Sequence, residues 1–153
     1  MAVGLAAAML TGCGTPGPRS WNLSITKNTT ASIQVDLIGI TESEKPYWEG
    51  YNLDKYWSDG DLRRKEAQPL TEFLVKGKAW EIPKTDPKWK EWFDRGDTQL
   101  LIIAQLPGNF DAGPADPRRI FVPLQPVYNA KDDTLEIEVL SSMVHVITPL
   151  KAK

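Results

Sequence analysis

Cys13 has the clearest chemistry in this sequence, because it is the only cysteine and it lies three residues after the end of an apolar run at residues 1–10. The stretch Leu10-Thr11-Gly12-Cys13 resembles a lipobox, the motif at which bacterial signal peptidases cut before a cysteine that then carries acyl chains such as palmitate. The pattern predicts a signal peptide at residues 1–12, lipidation of Cys13 and a tether over residues 13–20. Two or three acyl chains hold a protein stably at a membrane.

The N-terminal run has alternatives, because no Lys or Arg opens it as in most secretory signals. Either the true start codon lies upstream of Met1, or the run is an ordinary buried segment. Ten residues are about half of the ~20 that span a bilayer, and Gly4, Gly12 and the adjacent alanines pack poorly in a strand or helix. Gly14 after the cysteine resembles the pattern of lipoproteins that reach the outer membrane. We therefore expect a lipid-anchored protein on the periplasmic face of the outer membrane.

Composition excludes several classes of partner and site. The chain has 18 Lys and Arg against 20 Asp and Glu without a basic block, so nucleic acid is not an expected partner. One cysteine allows neither an intramolecular disulfide nor a thiolate metal site. The length fits one domain, which we place at residues 21–150.

Few groups are available for catalysis or metal binding. His145 is the only histidine, and its place in a predicted strand favours a half-buried structural side chain over a general base. Asp54, Asp59 and Asp61 do not have the spacing of a calcium loop, so a turn with solvated carboxylates is the preferred interpretation. The sequence predicts no enzyme activity, no metal site, no catalytic residue and no cofactor.

Tryptophans are the remaining candidates for a binding surface. Trp48 and Trp57 lie in an irregular stretch, where exposure at a binding edge is the expectation. Trp89 and Trp92 have helical spacing, so they are expected to pack a helix onto the domain. The Pro-rich and Gly-rich segment 107–118 is a second place where a partner could dock.

Alternation of apolar and polar residues predicts seven or eight strands, which together favour a β-sandwich with one or two short helices. A short turn at Lys27–Thr30 joins the first two strands. The run 100–104 is expected to form a central strand, and Ser141-Ser142 joins the last two. The predicted strands fall within residues 21–26, 33–37, 72–75, 79–82, 98–106, 119–124, 134–140 and 143–147.

Turn and cap signals locate the other elements. The segments 72–75 and 79–82 have the look of a hairpin. Asp86, Pro87 and Gly96 can cap, begin and end a helix that carries the apolar face of Trp89, Trp92 and Phe93. One or two helical turns are expected near Leu53, Tyr56 and Trp57.

In its order of elements the chain resembles the outer-membrane lipoproteins of type VI secretion, the TssJ family. The matching segments are 32–38, 55–62, 72–78, 100–105, 119–124, 135–139 and 144–146. The resemblance implies a transthyretin-like β-sandwich that tethers a secretion membrane complex to the outer membrane by binding the periplasmic domain of an inner-membrane component.

Two departures from that family bear on the partner-binding site. The family's loop between the first two strands is longer and contacts the partner, whereas only Lys27, Asn28, Thr29 and Thr30 join the strands here. The helix at residues 86–95 resembles an addition. The resemblance assigns partner binding to Lys27–Thr30, with Trp48 and Trp57 as further candidates. The alternative function is a lipid-tethered sandwich that binds carbohydrate or peptidoglycan by stacking on Trp48, Trp57 or Trp89.

Overall fold

Eight strands form two four-stranded sheets, with the orders β4-β1-β7-β8 and β3-β2-β5-β6. The computed structural model describes residue 14 and residues 16–152, so Cys13 and the predicted signal peptide lie outside the described residues. This arrangement confirms the predicted all-β sandwich. The strands are β1 (Asn22–Asn28), β2 (Ile33–Ile40), β3 (Leu70–Leu74), β4 (Trp80–Ile82), β5 (Gln99–Ala104), β6 (Arg119–Pro123), β7 (Thr134–Leu140) and β8 (Val144–Val146).

The apolar run 100–104 lies in the most buried strand of the fold. β5 pairs with β2 on one side and β6 on the other, antiparallel in both cases, and all of its residues are buried. Leu100, Ile102 and Ala104 face the interior of the sandwich, while Leu101 and Ile103 face the opposite side of the sheet. The predicted central strand is confirmed.

The predicted hairpin of residues 72–75 and 79–82 is wrong. β3 pairs with β2, whereas β4 pairs with β1 in the other sheet, so the connection at residues 75–79 crosses from one sheet to the other. Alternation identifies the buried face of a strand but does not identify the neighbouring strand. The sequence of a short connection with Gly77, here at a φ of 77°, therefore does not distinguish a hairpin within one sheet from a connection between two sheets.

The helix α4 (Pro87–Asp94) has the predicted caps and the predicted buried face. The Asp86 side chain accepts a hydrogen bond from the Lys88 backbone N–H at 2.8 Å, and Gly96 ends the helix with a φ of 84°. Trp89 and Trp92 are buried in the sandwich interior. A Cβ on Gly39 would lie 2.4 Å from Cδ1 of Trp92, so glycine lets this helix close one end of the sandwich.

Three further helices, α1 (Lys45–Gly50), α2 (Leu53–Tyr56) and α3 (Leu62–Ala67), lie between β2 and β3. We call residues 45–67 the helical layer. Trp48, Leu53 and Tyr56 of this layer pack on the outer face of β2 and β5, so that sheet is covered on both faces. Of these three helices, only α2 was expected. With α4, the described residues contain four short α-helices, where one or two were predicted. Across residues 14 and 16–152, no helix is long and apolar enough to cross a membrane.

Tyr128 is expected to make the fold less stable at high pH. Its side chain is 5% exposed, and burial raises its pKa to about 12, against about 10 in an unfolded chain. Between these values the unfolded chain has lost the proton that the folded chain keeps, so stability falls as pH rises. We expect the free energy of unfolding, measured with urea, to fall as the pH rises above about 10. Tyr128→Phe should make this dependence on pH less steep. An unchanged slope would contradict the prediction, and Tyr47→Phe, at a side chain that is 44% exposed, is the control.

Candidate functional site

The segment before the first strand is held at one end of the sandwich. The Arg19 backbone N–H donates to the Leu124 carbonyl at 2.9 Å, and the Arg19 guanidinium pairs with Asp133 at 2.6 Å and covers the Trp21 ring at 4.5 Å. We call this end, where β1 begins and α4 packs, the tether end. Residues 16–20 therefore leave the domain at a defined place.

Four connections meet at the opposite end, which we call the loop end. The strand registers place them together: β1 ends beside the end of β7, with Asn28 opposite Leu140, and β2 begins where β3 and β5 end. The connections are residues 29–32, 75–79, 105–118 and 141–143. Because β1 has seven residues, the two ends are separated by about 23 Å, at ~3.3 Å per strand residue.

The predicted partner-binding segment Lys27–Thr30 lies at the loop end. Lys27 and Asn28 are the last residues of β1, and Thr29 and Thr30 begin the connection to β2. The Lys27 ammonium donates to the Ala31 carbonyl, and the Ala31 N–H donates to the Thr29 hydroxyl at 3.3 Å. These local bonds hold a tight turn that leaves Asn28 and Thr30 exposed.

The two candidate tryptophans lie elsewhere, in the helical layer. Trp48 is 4% exposed and packs on Ile38, Ile40 and the neighbouring strand, so its predicted exposure is wrong. Trp57 is half-buried, and the Arg64 guanidinium lies 4.7 Å from its ring centre. The stretch predicted to be irregular is a packed layer, in which the Trp48 and Trp57 rings contact other side chains of the same domain. Trp89, the third candidate for sugar stacking, is also buried, at 2% exposed.

A buried carboxylate fixes this layer to the sheet. Asp36 of β2 is fully buried on the outer face and accepts hydrogen bonds from the Tyr56 hydroxyl at 2.7 Å, the Thr71 hydroxyl at 2.7 Å and Arg64 Nε at 2.8 Å. Burial and the adjacent carboxylate raise the pKa of Tyr56, and the hydrogen bond to Asp36 raises the pKa of Arg64. This network could not be predicted from the sequence, because Asp36 follows the alternation of a solvent-facing strand residue.

Two adjacent arginines fix the connection 105–118 to the same layer. Arg118, whose side chain is 5% exposed, pairs with Asp116 at 2.7 Å and with Asp54 at 2.5 Å. Arg119 donates to the carbonyl oxygens of Trp48 at 2.8 Å, of Glu49 and Tyr51 nearby, and of Gly113. Burial lowers the pKa of Arg119. The structure thus anchors the end of the segment that was predicted as a docking place.

The predicted solvated turn at Asp59 and Asp61 is wrong for Asp61. This residue is 8% exposed, caps α3 by accepting from the Arg64 backbone N–H at 2.8 Å, and accepts from the Tyr51 hydroxyl at 2.8 Å. Burial and that carboxylate raise the pKa of Tyr51 to about 12. In the described part of the chain, no group of three or more acidic, His or Cys side chains could hold a metal ion.

His145 lies on β8 as a half-buried side chain, with Nε2 3.4 Å from a Glu138 carboxylate oxygen. This position fits the structural role that the sequence favoured. The histidine and the glutamate are directly opposite each other in the pairing of β7 with β8.

Exposed apolar side chains mark the loop end on the side of β3. Phe73 is 59% exposed and Val75 is 61% exposed. Met143, which is 39% exposed, lies on the opposite side of the sandwich, on the connection to β8. A groove separates β3 from β4, and Trp80 lines it. The apolar residues of this patch lie in a segment that the sequence predicts as a strand, residues 72–75. The sequence does not show that β3 is an edge strand, with a neighbour on one side only.

Comparisons with known proteins find likeness in structure only. No family model and no curated protein matches the sequence. Serratia marcescens Lip, a membrane bound component of the type VI secretion system, matches with a TM-score of 0.54 at 14% identity over 88% of this chain and 99% of that chain. The type VI lipoprotein TssJ1 from Pseudomonas aeruginosa matches with a TM-score of 0.53 at 10% identity over 88% and 99%.

A third match is to a chain in a structure described as the type VI protein TssM C-terminal domain from EAEC, with a TM-score of 0.54 at 12% identity over 84% of this chain and 98% of that chain. Almost the whole length of each of these chains is therefore covered by the two-sheet domain and its helices. The chain has the fold of these type VI secretion lipoproteins, at 10–14% sequence identity.

Proposed function

We propose that this chain is a divergent member of the TssJ family: a lipid-anchored scaffold, without enzymatic activity, that tethers a type VI secretion membrane complex to the outer membrane. The observation that carries the proposal is the fold shared with the secretion lipoproteins over 88% of the chain. A shared fold alone does not assign a function. The proposal therefore also rests on the lipobox-like sequence that ends at Cys13 and on the two-ended geometry of the domain.

The anchor in this proposal is Cys13, processed by removal of residues 1–12 and held in the periplasmic leaflet of the outer membrane. Each buried methylene contributes about 0.8 kcal/mol, so two or three acyl chains give stable attachment. Residues 16–20 reach the domain at the tether end, where Arg19 is bonded to Leu124 and Asp133. The short tether keeps this end of the domain near the membrane.

The partner in this proposal is the periplasmic domain of an inner-membrane secretion component, and it binds at the loop end. That end lies about 23 Å from the tether end, at ~3.3 Å per strand residue, and it carries the exposed side chains of Asn28 and Thr30. Trp48 is buried, so its contribution to binding is to support the helical layer. An attachment point at one end and a binding surface at the other suit a scaffold that links two membranes.

The test is a crosslinked pull-down of the full chain from cell envelopes, with palmitate labelling in parallel. We expect label on the wild-type chain and none on Cys13→Ser, together with recovery of an inner-membrane secretion component. Thr30→Arg at the loop end should reduce that recovery, while Thr85→Arg, at an exposed residue of the tether end, should not. Recovery of no secretion component from expressing cells would overturn the proposal.

A further inference from the structure

The side of the sandwich formed by β3 and β4 is open. Each of these strands is the edge of its own sheet, and a groove lined by Leu74, Val75, Trp80 and Glu81 lies between them. On the other side the two edge strands β6 and β8 are linked, because the Val144 backbone N–H of β8 donates to the Pro117 carbonyl just before β6, at 3.0 Å. Both sides of the domain end in edge strands, but only the β6–β8 side is bridged by this backbone hydrogen bond among the described residues.

The backbone of β3 has hydrogen-bonding groups that face away from its sheet. Gln34 lies opposite Phe73 in the pairing of β2 with β3, but the Gln34 carbonyl accepts from the Gln105 N–H, on the β5 side, at 2.8 Å. In an antiparallel pair, residues opposite each other either both bond across the pair or both face outward. The Phe73 N–H and carbonyl therefore point out of the sheet edge.

The outward N–H of Phe73 is occupied by a local, exposed acceptor. It donates to Oε1 of Glu72, its own neighbour, at 3.0 Å. Glu72 is exposed, so its carboxylate can return to water when another acceptor arrives. A charged side chain at a sheet edge is a common device against unwanted strand pairing, and here it covers one of the outward donors that an added strand would use.

Side chains beside this edge favour an apolar, negatively charged occupant. Phe73 and Val75, two residues apart on one face of the strand, are 59% and 61% exposed. Lys76 and Lys78 follow at the loop end, and within the described residues neither of them forms an ion pair. An extended chain along β3 would meet the apolar pair and then the two ammonium groups.

We propose that the β3 edge is a strand-addition site for an extended segment of the periplasmic partner, with apolar residues at alternate positions and carboxylates where it passes Lys76 and Lys78. The assignment to that partner rests on the proposed function. Main-chain hydrogen bonds supply affinity in such complexes and the alternate side chains supply specificity. A carbonyl of the added strand replaces the Glu72 carboxylate on the Phe73 N–H.

Two substitutions separate this mechanism from simple apolar adhesion. Phe73→Pro removes the outward N–H and costs little to the fold, because proline is tolerated where an edge N–H faces away from the sheet. Phe73→Ala removes the ring but keeps the N–H. Glu72→Ala frees the N–H for a partner, and Glu81→Ala, across the groove on β4, is its matched control.

The experiment selects phage-displayed random octapeptides on the purified mature chain and measures their binding by fluorescence polarisation. We expect selected peptides with alternating apolar residues and a carboxylate-rich end. Loss of main-chain bonds in Phe73→Pro should weaken binding about tenfold, and Glu72→Ala should strengthen it about threefold. Bound peptide should also slow hydrogen exchange of the Phe73 amide in the wild-type chain, and unfolding curves confirm that each variant folds.

Three results would overturn the inference: no peptide is selected, the peptides bind Phe73→Pro as tightly as the wild-type chain, or sedimentation shows a dimer that Phe73→Pro abolishes. The last would make a second copy of this chain the occupant of the edge. The peptide experiment contains no secretion component, so its result is independent of the envelope pull-down. A failed pull-down with successful peptide selection would leave the site intact and remove its proposed partner.

Discussion

Asp36→Ala is expected to lower the free energy of unfolding by about 3–5 kcal/mol, the range for breaking a buried ion pair by removal of one partner. The substitution leaves the Tyr56 hydroxyl, the Thr71 hydroxyl and the Arg64 guanidinium without their shared acceptor. Tyr56 is fully buried, so water cannot replace the lost bond without opening the layer. Urea unfolding measures the total loss.

The matched control for Asp36→Ala is Glu66→Ala on the same layer. Glu66 pairs with Arg63 at 3.2 Å, but both side chains are exposed, at 65% and 43%. Exposed pairs contribute about 0.2–1 kcal/mol. A loss below 1 kcal/mol in Asp36→Ala, similar to the loss in the control, would contradict the role assigned to this carboxylate. Hydrogen exchange locates the effect. We expect Asp36→Ala to increase the exchange rate of backbone amides more in residues 45–67 than in β5.

Arg119→Met is expected to lower the free energy of unfolding by about 3 kcal/mol, because the Glu49 and Tyr51 carbonyls lose this donor and each buried carbonyl left without a donor costs about 1–3 kcal/mol. The Trp48 and Gly113 carbonyls keep the backbone N–H groups of Tyr51 and Asp116 as donors. The arginine bonds four backbone carbonyls, three at the α1–α2 junction and one at Gly113. Methionine keeps most of the apolar stem. The loss should therefore report the hydrogen bonds, and limited proteolysis should cut the connection 105–118 faster.

Arg119→Lys and Lys90→Met complete that experiment. Lysine has one ammonium in place of a planar fork, so it should recover only part of the stability. Lys90 pairs with Asp94 on the surface of α4, where the side chains are 79% and 63% exposed. Its replacement should change stability by less than about 0.5 kcal/mol. Full stability in Arg119→Met, or full recovery by lysine, would contradict the bonding role.

The candidate site was predictable in part. The turn Lys27–Thr30 follows from two alternating segments, and the structure places it at the loop end as a short turn. Trp48 shows why the rest was not predictable. Its neighbours in sequence have no regular pattern, and its burial depends on Ile38, Ile40 and Leu101, of which the last comes from a distant strand. Exposure of a side chain is decided by such contacts, which a single sequence does not state.

The sequence by itself determined the strands, the strand faces that point into the sandwich and the capped helix α4, because these depend on residues two to four positions apart. It also supplied the prediction of a lipidated Cys13. The tertiary structure alone decided which strands share a sheet, because pairing is made by residues far apart in the chain: β3 with β2, and β4 with β1. For the same reason it alone decided that Asp36 is buried beneath the helical layer and that the edge of β3 is left without a neighbour.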